Sequence, residues 1–300
     1  MARRPRKLPG LSTKYAMQKF IESRKAANCD SETVYWYQVR LETFLADAPP
    51  KVAYIRADHI REFLANSIEE GLSENTINGR YRALRAFFNF LYKEQLIHSN
   101  PIENVEAPKV GMVIIKTFTR EELQALFRAI DKTTFVGLRD MALLYMLYDT
   151  GIRISEALSV RRKDVFPQHL YVLGKGNKER LVPFGKKAQG YLNQYLEELG
   201  TVPVDNLFVS EDNRPLSRRA VDNRIKKYGR KAGITNVRLS AHTFRHTFAI
   251  DFLRNGGNVR ALQEILGHSS YAMVKRYTHM VESDIKSAHQ QYSPGDRLNF

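Results

Sequence analysis

The apolar period of this chain lapses between Ile102 and Lys116, a stretch that contains Pro108 and Gly111. On either side of it apolar residues recur at helical spacing, which constrains the 300 residues to fold as two bodies. The reading is one domain over residues 1–107, a linker over 108–117 and a second domain over 118–300. Each domain is long enough to close a hydrophobic core of its own.

The first body reads as four helices behind a basic, Pro- and Gly-containing arm over residues 1–10. A helix from about Ser12 to Ala27 carries Tyr15, Phe20 and Ile21. Asp30-Ser31-Glu32-Thr33 marks a second start, with Ser31 as the expected N-cap, and Pro49-Pro50 stops that helix. Asp58 opens a third helix and Gly71 closes it. Ser73-x-x-Thr76 opens a fourth, whose stripe is Ile77, Tyr81, Leu84, Phe87, Phe88 and Leu91. Arg80, Arg82 and Arg85 lie along this last helix. Isolated arginines would read as a solvated face. Three within six residues, on a chain this basic, read as contacts to phosphates.

In the second body Thr119 is the expected N-cap of a helix over 119–130, followed by a helix over 136–150 that is apolar on most sides. Leu170–Leu173 and Glu179–Val182 flank Gly174-Lys175-Gly176-Asn177-Lys178, the pattern of a β-hairpin. Helices are expected over 186–199, 217–232, 242–255, 259–266 and 270–279, with a short one over 282–291. The fold class is therefore mainly α with a small antiparallel β-sheet.

Forty-seven basic against 32 acidic residues give a net charge of +15, divided as +4 over residues 1–110 and +11 over 111–300. Such a surplus favours a polyanionic partner, because each phosphate contact releases condensed counterions. Cys29 is the single cysteine, which excludes an intrachain disulfide and a cysteine-based zinc site. No apolar run approaches a membrane span, and no apolar signal core follows the basic N-terminus, so the expectation is a cytoplasmic protein with no membrane partner.

The chemistry is carried by polar residues spread over the C-terminal half. Arg153 lies in Thr150-Gly151-Ile152-Arg153-Ile154-Ser155-Glu156, and Lys175 lies on the hairpin turn. They are followed by His242-Thr243-Phe244-Arg245-His246, Leu266-Gly267-His268 and Tyr277-Thr278-His279. Two arginines, a lysine, two histidines and a tyrosine suit attack on a phosphodiester without a metal. In-line displacement gathers negative charge on the nonbridging oxygens. Preorganised guanidiniums, whose fork bonds two oxygens at once, are the strongest available response. Glu156 reads either as a helix-start salt bridge to Arg153 or as the group that orients it. His242 and His246 stand four apart and could form a zinc-binding pair, but no third ligand accompanies them at a recognisable spacing. His246 reads instead as support for the core or for Arg245. No metal and no cofactor are expected.

These motifs, with His242-x-x-Arg245, then Leu266-Gly267-His268, then Tyr277 nine residues after His268, resemble the tyrosine recombinases, or phage-integrase family, and most closely its Xer-like members. Leu72-Ser73 through Asn100-Pro101 resembles the end of that family's N-terminal DNA-clamping domain. The resemblance implies a tyrosine-recombinase catalytic domain behind a four-helix DNA clamp. It implies a site-specific recombinase working as a homo-tetramer on two double-stranded DNA sites, through a 3′-phosphotyrosine intermediate and a four-way junction. It assigns Tyr277 as nucleophile, Arg153 and Arg245 as phosphate clamps, His242 as general acid/base and His268 as a phosphate ligand. Lys175 becomes the proton donor to the leaving 5′-oxygen, with Lys178 open as the alternative. Tyr271 and Tyr292 also lie near the end, but only Tyr277 holds the nine-residue spacing. Two other readings share these residues: a DNA-relaxing enzyme like the type IB topoisomerases, and a non-catalytic DNA-binding protein of the same fold.

Overall fold

The computed structural model describes residues 10–111, 115–174, 179–267, 277, 289–290 and 293–297. The chain divides into two compact units, Met1–Val113 and Ile114–Phe300.

The first unit is built on α1 (Thr13–Ala26), α2 (Ser31–Leu45), α3 (Ala57–Glu69) and α4 (Glu74–Lys93). Side-chain caps set three of the starts. Ser12 accepts from the Tyr15 N–H, Asp30 from that of Thr33 and Ser73 from that of Thr76. The cap of α2 is thus Asp30 and not the expected Ser31. The Asp30 carboxylate takes both the Thr33 N–H, at 2.7 Å, and the Thr33 hydroxyl, at 2.9 Å, leaving Ser31 as the first helical residue. The third helix begins one residue ahead of Asp58, where the Arg56 N–H donates to His59 Nδ1 at 3.0 Å.

The four helices close over Phe20, Leu41, Phe44, Ile60, Leu84, Phe87 and Phe88, all buried. Phe20 meets Tyr37, Phe87 and Phe90 edge-on, the arrangement that ring quadrupoles favour. The three arginines of α4 separate here. Arg82 and Arg85 are exposed. Arg80 is engaged within its own unit: it donates to Ser67 Oγ at 2.6 Å, lies over the Phe63 ring and comes within 3.7 Å of the Glu70 carboxylate.

The second unit runs α5 (Arg120–Arg128), α6 (Phe135–Thr150), α7 (Ile154–Ser159), β1 (Val165–Phe166), β2 (His169–Leu173), β3 (Glu179–Pro183), α8 (Lys186–Leu199), α9 (Arg218–Lys231), α10 (Ala241–Arg254) and α11 (Val259–Leu266). Thr119 and Glu122 cap α5 reciprocally. Helix α6 is the central one, with Met141, Ala142, Leu143, Leu144, Met146 and Leu147 all buried. The strands form an antiparallel sheet in the order β1-β2-β3, with Leu170 opposite Val182 and Val172 opposite Arg180. The sheet has one strand more than the expected hairpin, because Val165 and Phe166 pair back onto Leu170 and His169.

Two features of this unit were not anticipated from sequence. Helix α7 has six residues, too few to show an apolar period. A buried ion cluster joins α6 to α9: the Asp140 carboxylate accepts from Arg139, from Arg224 at 2.6 Å and from the Tyr228 hydroxyl at 2.6 Å. The hairpin turn at 175–178 lies outside the described residues. So do the helices expected over 270–279 and 282–291, apart from Tyr277 and residues 289–290, which are helical.

Candidate active site

The site is built where α6 ends and α7 begins. Gly151 ends α6 with φ +61°, a left-handed backbone that glycine adopts without strain. A Cβ at this position would stand 2.3 Å from a Phe248 ring carbon and 2.8 Å from Leu266, so the residue is fixed by packing as well as by torsion. The chain then turns into α7 with Arg153 as its N-cap residue.

Glu156, 5% exposed, is the hub of the ion pairs in this site. Its carboxylate accepts from the Arg153 backbone N–H at 2.8 Å and from Arg153 Nη1 at 2.8 Å. It also accepts the two Nη groups of Arg180, at 3.0 and 2.9 Å. Arg180 Nε donates to the Ile265 carbonyl at 2.9 Å, which ties β3 to the end of α11. Both sequence readings of Glu156 therefore hold together: it forms the helix-start ion pair, and that pair fixes Arg153. Burial alone would push the Glu156 carboxyl up. The Arg180 hydrogen bonds, the Arg153 N–H and both guanidinium charges outweigh it and hold the pKa below the ordinary value.

Arg245, 3% exposed, enters from α10. Its two Nη groups donate to the carbonyls of Gly151, at 2.6 Å, and Leu266, at 2.9 Å, which fixes the plane of the guanidinium. Burial, followed by the charge of Arg153, brings its pKa down to about 10, so it remains a cation at neutral pH.

His242 and Arg245 share one side of α10. Partial burial of the His242 ring comes first, then the charges of Arg245, Arg238, Arg153 and Arg218, and together they depress its pKa below the ordinary imidazole value. The residue as a whole is nevertheless exposed. One turn on, His246 meets His242 ring edge to ring face with centroids 4.2 Å apart. His246 Nδ1 stands 2.8 Å from the hydroxyl oxygen of Tyr277. Tyr277 is 4% exposed and clusters with Phe248, Leu262 and Leu266.

Of the residues singled out from sequence, Arg153, His242, Arg245 and Tyr277 fall in one electrostatic neighbourhood. Arg245 feels the charge of Arg153, His242 the charges of both arginines, and Tyr277 meets His246, the residue after Arg245. Lys175, Lys178 and His268 lie outside the described residues. Arg80, Arg82 and Arg85 belong to the other unit. Sequence reasoning passed over Arg180 and gave His246 only a supporting part. Arg180 did carry a signal. It stands opposite Val172 on the inward side of a strand pair whose other inward residues are Leu170, Val172 and Val182. A charged residue at an inward strand position requires a buried partner. Among the described residues, no three His, Cys, Asp or Glu side chains gather in a group that could hold a metal ion.

A helical unit that frames guanidiniums, imidazoles and a buried tyrosine matches a known class along its length. The chain belongs to the phage integrase family: residues 116–283 match the Phage integrase family itself, and residues 17–95 match the family's N-terminal SAM-like domain. Among its relatives, Tyrosine recombinase XerD of Chlorobaculum tepidum is 39% identical over 245 residues, covering 78% of this chain and 80% of the relative. Tyrosine recombinase XerC of Bacillus subtilis is 37% identical over 243 residues, with the same coverage. Among solved structures, a lambda integrase dimer bound to a COC′ core site superposes with a TM-score of 0.75 at 18% identity, over 88% of this chain and 97% of that one. The XerH recombinase bound to a palindromic difH substrate gives 0.73 at 23% identity, over 95% and 85%. These two likenesses concern the fold.

Proposed function

We propose that this chain is a site-specific DNA recombinase that cuts and rejoins strands through a covalent 3′-phosphotyrosine at Tyr277. The observation that carries the reading is the seating of the Tyr277 hydroxyl against the imidazole of His246, the residue that follows the clamped Arg245 on α10. Arg153 and Arg245 hold the nonbridging oxygens of the scissile phosphate, Arg153 preorganised by the Glu156 carboxylate that it shares with Arg180 and Arg245 by two backbone carbonyls. His242 acts as general acid/base and His268 as a further phosphate ligand. Lys175, or Lys178 beside it, protonates the departing 5′-oxygen. The phosphotyrosine keeps the energy of the broken bond, so resealing needs no external energy source.

Residues 1–107 form the clamp on duplex DNA, with Arg82 and Arg85 on phosphates, residues 108–117 the linker and 118–300 the catalytic domain. Four copies act on two sites and exchange strands in pairs through a four-way junction. Lambda integrase, of the same fold, is known as a tetramer bound to a Holliday junction. No described helix is long and apolar enough to cross a membrane, and the workplace proposed is the cytoplasm, where the DNA is.

The test is Tyr277→Phe on a duplex nicked beside the cut, which traps the covalent state. Wild type accumulates an SDS-resistant protein–DNA adduct whose digest yields a phosphorylated peptide containing Tyr277. The variant binds the site with near-normal affinity and forms no adduct. An adduct from the variant would move the nucleophile to another tyrosine, Tyr271 or Tyr292 first.

A further inference from the structure

We infer that His246 orients the Tyr277 hydroxyl and takes its proton as the strand is cut; the inference rests on the assignment of Tyr277 as nucleophile. A phenol with an ordinary pKa of ~10 is almost fully protonated at neutral pH. Its attack on phosphorus therefore requires an acceptor within hydrogen-bond reach, about 2.6–3.2 Å. Bulk water is a poor candidate here, because Tyr277 is 4% exposed. His246 Nδ1 lies 2.8 Å from the hydroxyl, and the two rings are 5.6 Å apart at an interplanar angle of 57°. Nδ1 accepts when the ring carries its proton on Nε2.

The placement is also supported by the helix. His242, Arg245 and His246 occupy positions i, i+3 and i+4 of α10, so they share one side. The element that fixes the Arg245 guanidinium on the carbonyls of Gly151 and Leu266 also fixes the imidazole that meets the nucleophile. The His242 and His246 rings meet edge to face, 4.2 Å between centroids. Arg245, a buried cation next to His246 on α10, favours the negative charge that grows on the phenol oxygen.

During cleavage the Tyr277 oxygen bonds to phosphorus while its proton passes to His246 Nδ1, which leaves His242 to exchange protons with the nonbridging phosphate oxygens. The bond from phosphorus to the 5′-oxygen breaks, and that oxygen leaves with a proton from the lysine proposed as acid, Lys175 or Lys178. On resealing, the 5′-hydroxyl attacks phosphorus and gives its proton back to that lysine, while the tyrosine oxygen departs and takes its proton back from His246.

The experiment measures single-turnover cleavage by His246→Ala and His246→Asn on the nicked duplex. It uses two versions of the substrate: a normal scissile phosphate, and one with sulfur in place of the bridging 5′-oxygen. Sulfur leaves as a thiolate without needing a proton. Both variants should bind the site as wild type does and cut the normal substrate roughly 100-fold or more slowly. Asparagine places an amide where Nδ1 stood and can hold the hydroxyl, but it cannot take the proton, so it should stay within about tenfold of alanine. Sulfur should leave both defects in place, while restoring Lys175→Ala, the proposed acid.

Wild-type cleavage by His246→Asn would reduce His246 to a positioning residue and overturn the proton transfer. Faster cleavage by either variant would make the contact a restraint on Tyr277. Restoration by sulfur would place His246 on the leaving-group side. If the alanine variant fails to fold, asparagine on the two substrates decides by itself. An adduct formed by the Tyr277→Phe control would instead refute the nucleophile assignment and leave the His246 measurements to be read separately.

Discussion

Glu156 shows how one residue sets the charge of the site. Its carboxylate holds Arg153 from its own helix and Arg180 from β3. Because its folded pKa lies below its unfolded value near 4.5, it contributes stability that is present above that pH and is lost as pH falls through the folded value. Acid titration of unfolding should therefore show stability dropping below about pH 4.5, and Glu156→Gln should flatten that limb. At neutral pH the same substitution should lower stability by about 2–3 kcal/mol, less than for a fully buried pair because Arg153 is 41% exposed. Chemical denaturation at pH 4 and pH 7 checks both; a variant with the wild-type acid limb would show that Glu156 does not titrate in this way. Arg153, His242, Arg245 and Tyr277 could be singled out in sequence because each sits inside a local motif. Arg180 and the contact of His246 with Tyr277 were not. Their partners lie 24 and 31 residues away, and only the folded chain closes those distances.

Among the elements, the turn from α6 into α7 carries the most geometry. Gly151 supplies the left-handed step and lends its carbonyl to Arg245. Gly151→Ala should strain the backbone and overpack Phe248 and Leu266, costing roughly 2–4 kcal/mol together. It should also shift the Arg245 anchor. Thermal melting should drop by several degrees and trapping of the covalent adduct should slow; an unchanged melt would refute the packing argument. Most elements were legible because their apolar residues repeat at 3.6 or 2. The exceptions share a cause. Helix α7 is shorter than two turns, β1 is two residues long, and the cap of α2 was decided by which of two adjacent polar residues reached the Thr33 N–H.

For the whole molecule, the +15 charge predicts DNA affinity that falls log-linearly with salt. The three arginines of α4 should then behave differently. Arg82→Ala and Arg85→Ala should each weaken binding and reduce the salt slope by about one. Arg80→Ala should chiefly destabilise the first unit, since its guanidinium is bonded to Ser67 and stacked on Phe63. Binding isotherms across a salt series, paired with melting curves, separate the two effects. Equal slopes for wild type and both exposed-arginine variants would return Arg82 and Arg85 to a merely solvated face.

The sharing of one carboxylate between two guanidiniums has a consequence for charge balance. Arg153, Arg180 and Arg245 against Glu156 leave two positive charges among these four side chains. That surplus attracts a phosphorus centre carrying two negative charges more than one carrying a single charge, the condition under which binding energy becomes rate.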